Sequence, residues 1–302
     1  MTWVTIGLSA ATMIAMAVIF SYILGWANKA FHVEVDRTVE KIIDVLPGAN
    51  CGGCGCVGCG EYAEAIVAGD APVNKCTVGG ESVAAEIAVI MGVEISDTVP
   101  IRPLVHCNAH YDDRLQRSEY RGEPTCAAAG LIQGVQGCTY GCLGFGDCVS
   151  VCNYDAIHIV DGLAVVDYEK CVGCGACVKA CPRGIIAMTP FKYDRILAVT
   201  CSNRDSAKDV KAVCNVGCIG CKLCAKSSDL FEMQGNLSAI DYEKYSNGHT
   251  EGLKKAVAKC KPGCINLVGK PVIGSPDKTD RESENTIDDS TWWTNDSKGG
   301  LG

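Results

Sequence analysis

Residues 138–152 read CTYGCLGFGDCVSVC, and residues 171–182 read CVGCGACVKACP. In the second stretch Cys171, Cys174, Cys177 and Cys181, followed by Pro182, form a C-x2-C-x2-C-x3-C-P run. Proteins that hold [4Fe–4S] clusters in pairs use this run, with the fourth thiolate ligating the other cluster of the pair. Three thiolates two residues apart lie on one tight loop and reach three irons of a cube, while the cysteine before the proline is carried away by the chain that follows. A second ligand set is therefore expected upstream.

That set carries one departure. A regular run would place cysteines at 142, 145, 148 and 152, but position 145 is Phe145, and Cys138 stands four residues before Cys142. The expectation is that Cys138 replaces the missing ligand. One cluster then takes Cys138, Cys142, Cys148 and Cys181, and the other takes Cys152, Cys171, Cys174 and Cys177. Structural zinc joins two separated Cys pairs into one tetrahedral site and fits this run of eight poorly. Disulfides between cysteines this close are strained and need an oxidising compartment.

Composition supports metal ligation. The chain has 302 residues and 22 cysteines, nearly all in close-spaced sets, with only 5 histidines. A net charge of −8 and the lack of a basic face with interleaved aromatics argue against nucleic-acid binding. No glycine-rich nucleotide loop and no nucleophile–base pair stand out, so neither a flavin nor a nucleotide site is expected in this chain. Charge is uneven: residues 170–226 carry ten Lys or Arg against three Asp, which suits an acidic partner.

The N-terminal residues 1–28 include WVTIGLSAATMIAMAVIFSYILGW, uncharged and long enough for a membrane-spanning helix. Trp3 and Trp26 bracket it as interfacial anchors, and Lys29, Arg37 and Lys41 follow it. The positive-inside rule then puts the rest of a single-pass protein on the cytoplasmic side of the cell membrane, where thiols stay reduced. An amphipathic piece follows, with Val35, Val39, Ile42, Ile43 and Leu46 at helical spacing. Next, Cys51, Cys54, Cys59 and Cys76 form C-x2-C-x4-C-x16-C in a glycine-rich loop and predict a one-cluster domain over residues 29–95. Helices are expected to stop at Gly69 and Gly92, and Cys56 reads as a thiol buried among or beside the ligands, with an alternative ligand as the second reading. Residues 96–134 read as a connecting segment in which Cys107 and Cys126 stand alone.

Beyond the two-cluster domain (135–190) the chain repeats itself. Cys214, Cys218, Cys224 and Ser228 have the spacing of Cys138, Cys142, Cys148 and Cys152, and AIDYEKY echoes VVDYEKC. The second unit (191–270) is thus a degenerate ferredoxin-like domain. Ser228 and Tyr245 stand where ligands to one cluster stood, and an insertion around NGHTEGLKKAVAK replaces the binding loop, so that cluster is lost. The other is expected on Cys218, Cys221, Cys224 and Cys264, with Cys214 as the alternative for one place; Cys264 is aligned with Cys181, and Cys201 and Cys260 are left unligated. The acidic tail, 271–302, reads as disordered, with Trp292 and Trp293 as its apolar exception. The whole predicts an α+β chain: a transmembrane helix, a one-cluster domain and two tandem ferredoxin-like domains, with four [4Fe–4S] clusters in all.

The anchor, then LPGANCGGCGCVGCGEYAEAI with Cys76 before a Gly-Gly, then the CTYGCLGFGDC ferredoxin-like units, resembles the RnfB family of the membrane-bound Rnf ferredoxin:NAD oxidoreductase complexes over residues 1–270. The resemblance implies Cys51, Cys54, Cys59 and Cys76 as ligands of the first cluster. It implies reduced ferredoxin as electron donor, other membrane and peripheral subunits as partners, and coupling of electron flow to movement of sodium ions or protons. Cys56 departs from the apolar residue usual there. The rival readings are a polyferredoxin subunit of another membrane hydrogenase or dehydrogenase, and a structural zinc scaffold.

Overall fold

The computed structural model describes residues 3–31, 36–94 and 99–270. Helix α1 (Trp3–Ala30) carries apolar side chains round its whole circumference. Its residues 6–30 form a 25-residue stretch long and apolar enough to cross a membrane, and none of it is buried against the rest of the protein. A helix apolar on every side needs an apolar surrounding. At 1.5 Å per residue it exceeds the roughly 30 Å of a bilayer's hydrocarbon core. The acidic tail, with Trp292 and Trp293, lies outside the described residues, as does Val35.

A three-helix unit follows. The side chain of Asp36 accepts the Thr38 N–H at 2.7 Å and caps α2 (Arg37–Val45). Val39, Ile42 and Leu46 pack on Tyr62, Ala63 and Ile66 of α3 (Cys59–Ala68) and on Ile87 of α4 (Gly80–Met91). Ile43, counted with them in the periodic pattern, is instead exposed. Both later helices stop where the glycines predict: Gly69 and Gly92 take φ of 82° and 66°, left-handed caps that a Cβ disfavours.

The remainder is built twice on one frame. In the first unit the elements are β1 (Ile101–Val105), α5 (Cys126–Gly130), α6 (Asp147–Ser150), β2 (Ile157–Val160), β3 (Leu163–Val166), α7 (Ala176–Ala180) and β4 (Ile186–Pro190). The outer strands β1 and β4 pair antiparallel, Val105 opposite Ile186, and enclose the β2–β3 hairpin. The hairpin turns on Asp161 and Gly162, whose φ of 48° and 78° suit a primed turn that follows the strand twist. The segment read as a connector, 96–134, is therefore no spacer, because it supplies the first strand of this unit.

The second unit comprises β5 (Arg195–Val199), α8 (Ala207–Val213), β6 (Phe231–Gln234), β7 (Leu237–Ile240), α9 (Thr250–Lys259) and β8 (Ile265–Gly269). Its outer pair β5–β8 repeats the first, with Val199 opposite Ile265, around the β6–β7 hairpin. The two units share one core that includes Ile157, Leu163, Ile186, Leu197, Phe231 and Leu253. Each such side chain, fully buried, contributes about 1.5–3 kcal/mol. A backbone strap also joins them: Leu115 N–H donates to Val213 C=O at 3.0 Å, and Asn215 N–H to Asp113 C=O at 2.9 Å.

Candidate metal centres

All 22 cysteines are free thiols. Among the described residues no three His, Cys, Asp or Glu side chains converge as ligands of a single ion would. The cysteines instead surround voids. One, of about 350 Å³ counting space open to solvent, is lined by Cys152, Cys171, Cys174 and Cys177, the set that the spacing predicts. Gly173, at φ 74°, lets this loop fold back until it touches the Ile101 carbonyl, where a Cβ has no room.

The neighbouring void, also about 350 Å³, is lined by Cys126, Cys142, Cys148 and Cys181. Cys138, expected here, lines a different cavity. The reason is Asp147 at the head of α6. Its carboxylate accepts the backbone N–H of Cys126 at 2.6 Å and of Ala127 at 2.9 Å, and Thr125 caps the same turn. These bonds bring α5 to the void and with it Cys126. The place held by a ligand in a regular run goes to Phe145, which packs against Tyr120 with ring centroids 5.2 Å apart.

In the second unit a void of about 370 Å³ is lined by Cys218, Cys221, Cys224, Cys260 and Cys264. Cys214, the alternative to Cys221, is not among them. The register settles which late cysteine matches Cys181. Gly184 N–H donates to Cys181 C=O at 3.1 Å, Gly263 N–H donates to Cys260 C=O at 3.0 Å, and strands β4 and β8 begin at the same point after each turn. Cys260 thus stands in the place of Cys181, and Cys264 in that of Ile185, which corrects the expected alignment of Cys264 with Cys181. The sequence signal was the Gly-x-Ile after each turn, Gly184 to Ile186 and Gly263 to Ile265, not the cysteine spacing. Cys264 lies 3.5 Å from Cys260, Sγ to Sγ. Hydrogen bonding with Cys264 is the largest influence holding Cys218 down to about 6 and Cys260 down to about 7, while Cys264 itself is pushed far up.

Where the first unit has Cys152 and Cys171, the second has Ser228 and Tyr245. Tyr245 is 2% exposed, accepts the Leu197 N–H at 2.9 Å and stacks on Tyr242, and α9 packs over Ser228 through Gly252. The side chains fill that space.

In the three-helix unit, Tyr62 staples the loop that carries Cys76. Its hydroxyl donates to Pro72 C=O at 2.8 Å and accepts the Lys75 N–H at 2.9 Å. Asn50 Oδ1 accepts the Cys59 N–H at 2.8 Å, which ties the loop bearing Cys51 and Cys54 to the start of α3. Cys54, Cys59, Cys76 and Cys56 pack along one side of this small core, and Cys51 is exposed. Gly79 N–H donates to Cys76 Sγ at 3.3 Å, and the Thr77 hydroxyl beside it is buried with no hydrogen-bond partner among the described residues. The loop meets the first ferredoxin-like unit: a Cβ on Gly53 would lie 3.3 Å from the Cys174 carbonyl.

This chemistry fits iron–sulfur clusters. Four or five thiols line each void without converging on one point as ligands of a single ion would, backbone N–H groups point at sulfur, and the Thr77 hydroxyl near Cys76 is buried without a partner among the described residues. Burial, the largest influence on each, pushes Cys142 and Cys177 up to about 11 and Cys148 up to about 12. Loading iron there must expel those protons.

Comparisons with known proteins agree. Residues 46–78 match a family described as "Putative Fe-S cluster", and residues 164–187 match the 4Fe-4S binding domain. The B component of the Na(+)-translocating ferredoxin:NAD(+) oxidoreductase complex of Acetobacterium woodii is 41% identical over 252 residues, 82% of this chain and 74% of that protein. The B component of the ion-translocating oxidoreductase complex of Methanosarcina acetivorans is 38% identical over 223 residues, 72% of this chain and 83% of that protein. The B component of the proton-translocating ferredoxin:NAD(+) oxidoreductase complex of Clostridium ljungdahlii is 35% identical over 261 residues, 85% of this chain and 90% of that protein. With identities of 35–41% along most of its length, the chain belongs to the RnfB family of Rnf-complex proteins.

Proposed function

We propose that this chain is the electron-relay component of a membrane-bound, ion-translocating ferredoxin:NAD oxidoreductase complex, held by α1 with its remaining units on the cytoplasmic side. Lys29, Arg37 and Lys41 after the helix support that side. The observation that carries the reading is the set of cysteine-lined voids in the two ferredoxin-like units, one of them opening at exposed Cys221, with the first unit in contact through Cys174 with the cysteine-bearing loop at Gly53 next to the membrane helix. We assign four clusters to Cys51, Cys54, Cys59 and Cys76; to Cys152, Cys171, Cys174 and Cys177; to Cys126, Cys142, Cys148 and Cys181; and to Cys218, Cys221, Cys224 and Cys260.

A bound cluster supplies reversible one-electron redox chemistry with no bond to a substrate. The residues do the rest. Cys148 and Cys152, and likewise Cys177 and Cys181, are four residues apart, so adjacent sites share a short stretch of backbone. The Gly53–Cys174 contact brings the first site against the second. Sulfur-directed N–H groups, such as Ala156 to Cys152 at 3.4 Å, stabilise the charge on the thiolates and raise the potential.

Electrons would enter at the Cys221 end, where Lys222, Lys226, Lys259 and Lys261 are exposed and an acidic ferredoxin can dock. Lys179, also in the basic zone, faces the loop at Gly52 instead. Stopped-flow oxidation of reduced ferredoxin by the anaerobic protein tests the entry point. Lys222→Glu with Lys226→Glu should raise the half-saturating ferredoxin concentration roughly tenfold at low salt. Unchanged saturation would move the docking site elsewhere.

A further inference from the structure

One cavity belongs to none of these sites. At the junction of the two ferredoxin-like units, about 430 Å³ counting space open to solvent is lined by Cys107, Cys138, Cys201 and Cys214. It is no smaller than the voids of 350–370 Å³ at the three neighbouring sites. Its cysteines come from matching places in the duplicated frame. Cys107 and Cys201 each stand two residues beyond an outer strand, β1 and β5. Cys138 precedes Cys142 by the same four residues as Cys214 precedes Cys218. The N–H of Cys142 donates to Cys107 Sγ at 3.5 Å, and the N–H of Cys218 donates to Cys201 Sγ at 3.3 Å.

We propose that Cys107, Cys138, Cys201 and Cys214 hold a fifth [4Fe–4S] cluster, two ligands from each unit, an assignment that rests on reading the neighbouring voids as cluster sites. Its lining repeats the pattern of the neighbouring sites, four cysteines round one space, here two from each unit. The surroundings suit a negatively charged centre. Arg114, 9% exposed, lines the cavity with its guanidinium held by the carbonyls of Ala109 and Gly162, at 2.9 and 2.6 Å. Asn203 Nδ2 donates to Cys138 Sγ at 3.5 Å.

The position explains the spacing. Cys138 with Cys142, and Cys214 with Cys218, give one thiol to this cavity and one to the next, the device that links the paired sites through Cys148 with Cys152. The cavity thereby bridges what is otherwise a gap between the first unit and the Cys218 site. Of the 22 cysteines only Cys56 and Cys264 then lie outside a ligand set.

Iron and acid-labile sulfide per chain, measured on the anaerobically purified full chain with EPR of the reduced form, test this. About 20 irons are expected, four per cube. Cys201→Ala should lower that to about 16, and Cys177→Ala, at the Cys152 site, should do the same. If Cys177→Ala loses four irons and Cys201→Ala none, the fifth site is overturned while the other sites stand. If neither loses iron, the reading of all the voids falls. Asn203→Asp gives a measurement that does not depend on a cysteine variant folding. It keeps the side chain's shape and its bond from the Asp205 N–H, and removes the donor to Cys138. One EPR component should shift to a more negative midpoint with the iron count unchanged. A full set of unshifted midpoints would overturn the assignment.

Discussion

The first and second ferredoxin-like units keep the same outer ladder and hairpin, yet they treat their sites in opposite ways. The first retains both voids of a paired arrangement but fetches a lining cysteine, Cys126, from a separate helix strapped in by Asp147. The second has Cys221 in its own loop, and fills its other void with Tyr245 and α9. The cysteine-lined voids thus differ through a few side chains and the helices between the strands, while the outer ladder and the hairpin stay the same.

The largest effects should come from the matched cysteines. Cys181→Ser and Cys260→Ser should each cost about four irons per chain, whereas Cys264→Ile, which copies Ile185, should cost none. Iron analysis decides whether the register argument or the cysteine spacing names the ligand. Next comes the filled void: Tyr245→Ala opens a cavity where the first unit has room for a cluster. It should destabilise the fold by about 3–5 kcal/mol in chemical denaturation, without binding extra iron. Asp147→Ala frees the N–H groups of Cys126 and Ala127 and should cost about 1–2 kcal/mol, the scale of a lost helix cap. Its iron loss should be partial and confined to the first unit, read as a weakened EPR component.

An effect of similar size has a pH signature. Burial, its largest influence, pushes the Tyr245 hydroxyl up to about 12. A folded value raised above the usual 10 means stability that is complete below pH 10 and lost as pH climbs toward 12. Tyr245→Phe leaves the Leu197 N–H unpaired and should cost about 1–3 kcal/mol at neutral pH. That deficit should shrink above pH 10 in denaturation curves, and a pH-independent deficit would remove Tyr245 as its source.

The sequence was readable wherever ligands cluster within one loop. Cys171, Cys174 and Cys177 line one void as their spacing requires, because loop geometry is local, and Cys152 joins them from the other side of the β2–β3 hairpin. It was unreadable where the chain returns from a distance. Cys126 lies 12 residues before Cys138, and only the Asp147 carboxylate, across a fold, brings it in. Cys107 and Cys201 looked solitary for the same reason: their neighbours are set by strand pairing over many residues. A hint was present all the same, since IRPLVHC and RILAVTC put each cysteine after a similar apolar strand. Cys260 was missed because counting from cysteine to cysteine ignored the left-handed Gly184 and Gly263, the positions that anchor the two turns.

Cys221 is exposed, whereas its counterpart in the first unit is Phe145 under Tyr120. A redox centre that must meet a soluble partner cannot be shielded from other small oxidants. Cys51 is the other exposed cysteine, so damage by dioxygen should start at the two outermost of the proposed sites and leave the interior ones intact for longer.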